Sequence, residues 1–198
     1  MTKKRILVAM TGASGSLYGV RLLQALQAMP DVEVHGILSH WAKENLRLET
    51  QLTPEEVGCL CDVLYDENEQ SAAVASGSYP IDATVIVPAS MKTCAAIACG
   101  FADNLITRTA DVALKEQRPL ILAPRETPLS TIHLENLTKL SRLGARILPP
   151  MPAFYNQPRS IEDLLEHQTM KLLDALHLTH QLGQRWSGAT DSFQNQIR

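Results

Sequence analysis

Apolar and polar residues alternate along this chain in two different periods. Short, almost continuously apolar runs predict strands buried on both faces, at residues 5–10, 32–38, 83–87 and 120–123, and weaker runs at 63–65 and 145–148 predict two more. Between these runs, apolar residues recur three and four positions apart, which predicts helices at 17–29, 40–50, 54–61, 130–143 and 160–182, and further helices within 91–117. Such alternation is typical of an α/β fold with a mostly parallel sheet covered on both faces by helices.

Composition narrows the class of protein. A chain of 198 residues with 45% hydrophobic and 20% charged residues indicates one ordinary globular domain. The net charge of −3 argues against a general nucleic-acid binder, and no apolar run approaches the roughly 20 residues of a membrane span. The chain enters a strand at once, so no secretory signal is expected.

The cysteines and histidines give no sign of a metal site. The four cysteines, Cys59, Cys61, Cys94 and Cys99, form no CxxC pair, and no clustered histidines suggest zinc. Cys59 and Cys61 fit buried free thiols better than a metal clip. Free thiols indicate a reducing compartment, which predicts a cytoplasmic protein.

A glycine-rich turn joins the first strand to the first helix. Its sequence, MTGASGSLYG at residues 10–19, has Gly12, Gly15 and Gly19 within eight positions, where the strand gives way to the first N–H groups of the helix. This predicts a phosphate site, and the alternative is a tight turn with small residues needed only for packing. The turn lacks the Gly-Lys-Ser/Thr of a Walker A loop and the G-x-G-x-x-G of a dinucleotide site, so a mononucleotide such as a flavin phosphate fits better.

Polar side chains follow several predicted strands. In open α/β sheets, ligands bind at the carboxyl ends of the strands, near the switch in strand order. The segments at those ends are 11–16, Ser39, 88–93, 124–128 and 149–155. They carry hydroxyls, two basic groups, a carboxylate and a phenol, which predicts an anion-binding site that contains an acid or base. Arg125 and Glu126 belong to this set, and the alternative for them is a plain surface ion pair.

A stripe of apolar and basic side chains lies on the predicted helix within residues 105–115. Leu105, Arg108, Val112 and Lys115 share one helical face, which suits a subunit interface or an anionic ligand. The alternative is a solvated face whose long basic side chains extend to water.

Together these segments resemble a known family. TGASGSLYGVRLL, VPASMKT, ADVALKEQRPLILAPRETPL and PPMPAFYNQP are similar to motifs of the UbiX/Pad flavin prenyltransferases, formerly described as aromatic acid decarboxylases, and the likeness spans residues 4–188. The resemblance implies a Rossmann-like three-layer α/β/α fold, a single FMN-binding domain over residues 1–188 with a polar tail at 189–198, and a homododecamer built of trimers. It also implies transfer of the dimethylallyl group of dimethylallyl phosphate to N5 and C6 of reduced FMN, for a partner decarboxylase of the UbiD type.

The resemblance also implies roles for individual residues. The implied FMN contacts are Gly12, Ala13, Ser14, Ser39, Ser90, Met91, Lys92, Thr93 and Arg125. The implied contacts to the prenyl donor are Tyr155, Lys171, Arg108 and Lys115, and the implied catalytic group consists of Glu126, Ser14 and Glu49. The family commonly has arginine where Lys171 stands. A lysine ammonium group would bind the phosphate as a point charge, without the two parallel hydrogen bonds that an arginine guanidinium group can donate.

Three other functions remain open from the sequence. They are an FMN-dependent aromatic acid decarboxylase or its accessory subunit, a flavin-dependent cysteine decarboxylase, and a non-catalytic FMN carrier. The cysteine decarboxylases resemble this chain at the first turn but carry PASANT and a catalytic histidine before it. Here the segment reads PASMKT, and no histidine lies between His40 and His133.

Overall fold

A computed structural model describes residues 3–186 of the chain. They form a six-stranded sheet in the order β3-β2-β1-β4-β5-β6, with every pair of neighbouring strands parallel. The strands are β1 (Lys4–Met10), β2 (Val32–Leu38), β3 (Val63–Asp66), β4 (Ala83–Ala89), β5 (Leu120–Pro124) and β6 (Arg146–Ile147). The helices are α1 (Ser16–Gln27), α2 (His40–Glu49), α3 (Pro54–Gly58), α4 (Met91–Cys99), α5 (Leu105–Lys115), α6 (Thr131–Arg142) and α7 (Ile161–Ala175). The tail predicted at residues 189–198 lies outside the described residues.

The sheet separates two hydrophobic cores. On one face, Val8 of β1 packs with Leu22 of α1 and Leu172 of α7, and α2 and α3 contribute to the same core. On the other face, Leu7 packs with Leu105 of α5 and Leu140 of α6, together with α4. Successive strand residues therefore enter opposite cores, which explains why the strands read as continuous apolar runs. The three-layer α/β/α prediction is confirmed.

The last helix is shorter than predicted. The apolar pattern predicted helix up to residue 182, but α7 ends at Ala175. His177 has a positive φ of 54°, and the Arg146 guanidinium donates to the carbonyl oxygen of Ala175. Leu178 and Leu182 still pack against the core, so burial outside a helix produced a helix-like pattern.

Other boundaries differ by a few residues. The predicted capping boxes at Thr53 and Ser160 are present, although α3 ends at Gly58 rather than near residue 61. The region 91–117 contains two helices, because Gly100 ends α4 in the left-handed conformation. Within residues 3–186, no helix is long and apolar enough to cross a membrane, and no group of acidic, histidine and cysteine side chains is arranged to hold a metal.

Candidate functional site: a cleft at the switch in strand order

The strand order changes direction between β1 and β4, and hydrogen bonds join the carboxyl ends of these strands. The Thr11 hydroxyl donates to the Pro88 carbonyl oxygen at 2.9 Å and accepts from the Ser90 N–H at 2.7 Å. The Ser39 N–H donates to the Met10 carbonyl oxygen at 3.0 Å, which adds the end of β2. Three strand ends are thus fixed next to one another, where an open α/β sheet binds its ligand.

A cleft of about 520 Å³ opens at this point. Its lining comes from the ends of β1 to β4 and from the segment before α5, and consists of Thr11, Gly12, Ser39, His40, Trp41, Glu67, Asn68, Ser90, Lys92, Thr93, Asp103, Asn104 and Ile106. A volume of this size falls within the range of small-molecule sites.

Three helices direct their N-termini to this cleft. The Ser39 hydroxyl caps α2 by accepting from the Ala42 N–H at 3.1 Å, and the Ser90 hydroxyl caps α4 by accepting from the Thr93 N–H at 3.3 Å. Asn104 Oδ1 caps α5 by accepting from the Thr107 N–H at 3.0 Å. Helix N-termini carry partial positive charge, and Lys92 adds a full one. The cleft is therefore suited to a phosphate.

Groups that accept hydrogen bonds also line the cleft. Glu67 accepts a hydrogen bond from the His40 N–H, and Asp103 lines the same space. These carboxylates and the Asn68 amide can accept hydrogen bonds from hydroxyl or N–H groups of a ligand. Anion-binding and acceptor groups together fit a phosphorylated, hydroxylated molecule better than a simple anion.

Gly12 brings the backbone against an aromatic side chain. A Cβ at Gly12 would lie 2.5 Å from Trp41 Cβ, so only glycine fits. The Trp41 side chain is 66% exposed and lines the cleft. It offers a planar apolar surface beside the polar groups.

A carboxylate of the chain itself lies at the opening turn, where the sequence predicts a phosphate. Glu49 Oε2 accepts from the Gly15 N–H at 2.9 Å and from the Ser16 N–H at 2.8 Å, at the start of α1. Burial raises the pKa of Glu49, but hydrogen bonds from the Ser14 side chain and from those two N–H groups outweigh it, so the pKa is lowered overall. Glu49 therefore accepts hydrogen bonds from the first N–H groups of α1, and the phosphate contact expected at this turn stays a prediction.

The structure gathers some of the predicted flavin-binding residues and separates others. Gly12, Ser39, Ser90, Lys92 and Thr93 all line the cleft. Ala13 and Met91 are buried next to these residues in sequence, and Ser14 is half-buried beside Glu49.

Arg125 and Glu126 lie outside the lining of the cleft. Both side chains are exposed, just after β5. The Arg125 N–H donates to the Ala89 carbonyl oxygen at 3.2 Å, which ties this segment to the end of β4. Glu126 Oε1 accepts from the Thr127 N–H at 3.0 Å.

The basic residues of α5 already have partners. Arg108 donates from Nε to the Ala75 carbonyl oxygen at 3.0 Å and pairs with Asp111 at 2.8 Å, while Lys115 pairs with Glu116. Leu105 and Val112 are buried, so the predicted mixed stripe is not one exposed surface. Its basic members lie at the edge of the helix face whose apolar members enter the core.

The predicted donor-binding residues of the C-terminal part are exposed. Tyr155 lies in the proline-rich loop between the rings of His167 and Trp186, and Lys171 lies on α7. The sequence places Lys171 in line with Leu164, but Leu164 is only half-buried and Lys171 is exposed. Leu164 and Lys171 therefore lie at the edge of the buried face of α7, and Lys171 does not point inward.

Sequence reasoning missed several cleft residues. Glu67 and Asn68 follow β3, and the carboxyl-end rule finds them once β3 is counted among the strands. Asn104 starts a capping box with Thr107, which is a recognisable signal. Trp41 lies inside the first turn of α2, and no pattern in the sequence marks it.

Several known proteins are similar to this chain in sequence. Residues 1–172 match the family model described as Flavoprotein. The flavin prenyltransferase LpdB of Lactiplantibacillus plantarum is 60% identical over 185 residues, which cover 93% of this chain and 99% of that protein.

Two solved structures have nearly the same fold. A dodecameric FMN-dependent UbiX-like decarboxylase from Escherichia coli O157:H7 is 48% identical, with a TM-score of 0.92 over 93% of this chain and 100% of that one. AnUbiX, solved in complex with FMN and dimethylallyl pyrophosphate, is 47% identical, with a TM-score of 0.93 over 95% of this chain and 100% of that one. The chain therefore belongs to the flavoprotein family and, within it, to the UbiX-like flavin prenyltransferases.

Proposed function

We propose that this protein is a flavin prenyltransferase that joins the dimethylallyl group of dimethylallyl phosphate to N5 and C6 of reduced FMN. The observation that carries the proposal is the cleft at the switch in strand order, where three helix N-termini and Lys92 converge beside Trp41. The reaction is inferred from membership of the family, and the cleft is the proposed binding site for flavin mononucleotide.

The residues present fit FMN. Ser39, Ser90, Thr93 and Lys92 would hold its phosphate, because their helix ends and ammonium group favour an anion. Gly12 lets the backbone lie against Trp41, because a side chain there would collide with it. When bound in its reduced form, the flavin supplies the electron-rich atoms that accept the prenyl group.

Cationic and hydroxyl groups would stabilise the leaving phosphate of the donor. We assign this role to Tyr155 and Lys171, with Arg108 and Lys115 nearby in the assembled enzyme. Cleavage of an allylic carbon–oxygen bond leaves a phosphate dianion, and fixed cationic and hydroxyl groups lower the barrier by stabilising that charge. Tyr155 and Lys171 are exposed and available for this contact.

Glu126 is assigned the proton transfer that accompanies ring closure. Its carboxylate would take the proton that leaves C6. Support comes from its place at the carboxyl end of β5, the strand next to β4, on a segment tied to β4 through Arg125. Ser14 and Glu49 would set the turn beside the flavin ring, since Glu49 fixes the first N–H groups of α1.

The working form proposed is a homododecamer of trimers. Large apolar side chains stay exposed in the single chain, among them Ile132, Met151, Phe154 and Ile161. Exposed apolar surface of this kind supports association with further copies.

The product, prenylated FMN, would pass to a UbiD-type decarboxylase in the cytoplasm. All four cysteines lie in the described part of the chain and are free thiols, which suits a reducing compartment.

The experiment is an anaerobic incubation of the enzyme with reduced FMN and dimethylallyl phosphate, with inorganic phosphate release measured over time. We expect phosphate release that requires both the enzyme and reduced FMN. Phosphate release that is equal with oxidised FMN would refute the proposal. The alternative of direct decarboxylation predicts carbon dioxide from aromatic acids such as phenylacrylic or hydroxybenzoic acid without any prenyl donor, and we expect none.

A further inference from the structure

Tyr155 lies on a loop that does little to fix its side chain. It is part of a turn in which the Gln157 N–H donates to the Phe154 carbonyl oxygen at 3.0 Å. The side chain is 45% exposed, and within residues 3–186 its hydroxyl has no hydrogen-bond partner. The direction of the phenol therefore depends on the rings that touch it.

Two rings contact Tyr155, and one of them is much more deeply buried. The rings of His167 and Trp186 each meet it edge-on, with centroids 5.7 Å away and interplanar angles of 81° and 80°. His167 is only 7% exposed and belongs to α7, which packs against α1. Trp186 is 54% exposed and follows the last helix. His167 is thus the fixed surface against which the phenol rests.

The imidazole makes this contact with its ring rather than with its nitrogens. His167 Nδ1 is buried and has no hydrogen-bond partner among the described residues. A buried polar atom without a partner does not help to hold the fold. What the side chain offers Tyr155 is an aromatic surface of fixed position.

Open space lies beside the same turn. A cavity of about 560 Å³ is lined by Asn156, Gln157, Arg159 and Glu166 as well as by His167. Without the imidazole ring, the cavity would extend toward Tyr155, and the phenol would have other directions available to it.

We propose that His167 is a positioning residue, which holds the Tyr155 hydroxyl toward the phosphate of the prenyl donor through the edge-on contact of the two rings. This proposal rests on the proposed function, in which Tyr155 binds that phosphate. His167 itself is proposed to touch neither the donor nor the flavin.

The test begins with three substitutions in the full-length enzyme. His167→Ala and His167→Leu remove the aromatic edge, and Leu does so without leaving a large void. Because an edge-on aromatic pair is a modest interaction, we expect both to raise the KM for dimethylallyl phosphate about 2- to 10-fold while FMN content and kcat stay unchanged. His167→Phe keeps the ring and should retain the wild-type KM. A wild-type KM in His167→Leu would overturn the proposal, and so would a raised KM in His167→Phe.

A double-mutant cycle separates positioning from a structural role. Tyr155→Phe keeps the ring contact but lacks the hydroxyl that His167 is proposed to direct. We expect His167→Leu to raise the donor KM in the wild-type background and to have no further effect in the Tyr155→Phe background. An equal increase in both backgrounds would mean that His167 acts through the fold, and the proposal would be wrong. If Tyr155→Phe alone leaves the donor KM unchanged, Tyr155 does not bind the donor phosphate, and the proposal for His167 is wrong with it. If the wild-type enzyme releases no phosphate from dimethylallyl phosphate, the proposed function itself is refuted.

Discussion

Replacing Ser90 by aspartate places a negative charge in the cleft without removing a helix cap. Ser90 caps α4 through its hydroxyl, and aspartate is as good an N-cap as serine. The fold of Ser90→Asp is therefore expected to stay intact. If the cleft holds the FMN phosphate, the new carboxylate meets it at contact distance.

The size of the effect follows from Coulomb repulsion. Two unit charges about 4 Å apart repel by about 4 kcal/mol at an effective dielectric constant of about 20. Screening by salt and the open side of the cleft reduce this to about 2–3 kcal/mol. The expected loss of FMN affinity is about 30- to 150-fold.

Ser130 provides a matched control. It caps α6 in the same way, by accepting from the His133 N–H at 3.2 Å, and it does not line the cleft. We expect Ser130→Asp to bind FMN as the wild type does, and both variants to have unchanged melting temperatures. Fluorescence titration of apoprotein with FMN measures the affinities. Equal FMN affinity in Ser90→Asp and wild type would refute the location of the phosphate.

Three further predictions concern the charged residues around the site. The pKa of Glu49 is lowered in the folded protein, so its carboxylate stabilises the fold at neutral pH, and this contribution is lost as the pH falls through the lowered pKa. Glu49→Gln should therefore lower the melting temperature by about 2–4 °C at neutral pH, which corresponds to a loss of about 1 kcal/mol at this exposed position. The difference in melting temperature between this variant and the wild type should disappear in acid. Glu126→Gln should keep FMN while product formation slows by about 100-fold or more, and wild-type turnover would exclude an acid/base role. Lys171→Ala should raise the KM for dimethylallyl phosphate by about 10- to 150-fold with unchanged FMN content, whereas Lys171→Arg should retain binding; an unchanged KM in the alanine variant would make Lys171 a surface lysine only.

The strands were predictable because both faces of the sheet are buried. Residues such as Leu7 and Val8 enter opposite cores, so most positions of the central strands are apolar and the runs stand out. The end of α7 was not predictable from periodicity. Leu178 and Leu182 are partly buried against the core without being helical. The hydrogen bond from Arg146 to the Ala175 carbonyl oxygen joins residues 29 positions apart, so no local pattern shows it.

About half of the cleft was predictable, for a topological reason. Ser39 and Ser90 follow directly after strands, and parallel strands bring those positions together. Trp41 was missed because its exposure depends on how α2 leaves the sheet. The contact of Glu49 with the start of α1 joins residues 33 and 34 positions apart, and no local pattern encodes it. Glu49 entered the prediction only through the family resemblance.

The mass of the flavin after one anaerobic reaction tests the central claim most directly. Enzyme that carries reduced FMN is incubated with dimethylallyl phosphate, the protein is denatured, and the extracted flavin is weighed by mass spectrometry. Transfer of the prenyl group predicts a flavin heavier than reduced FMN by one C5H8 unit, formed in amounts that follow phosphate release. A flavin that keeps the mass of FMN, from enzyme saturated with both reactants, would contradict the assignment of this protein as a flavin prenyltransferase.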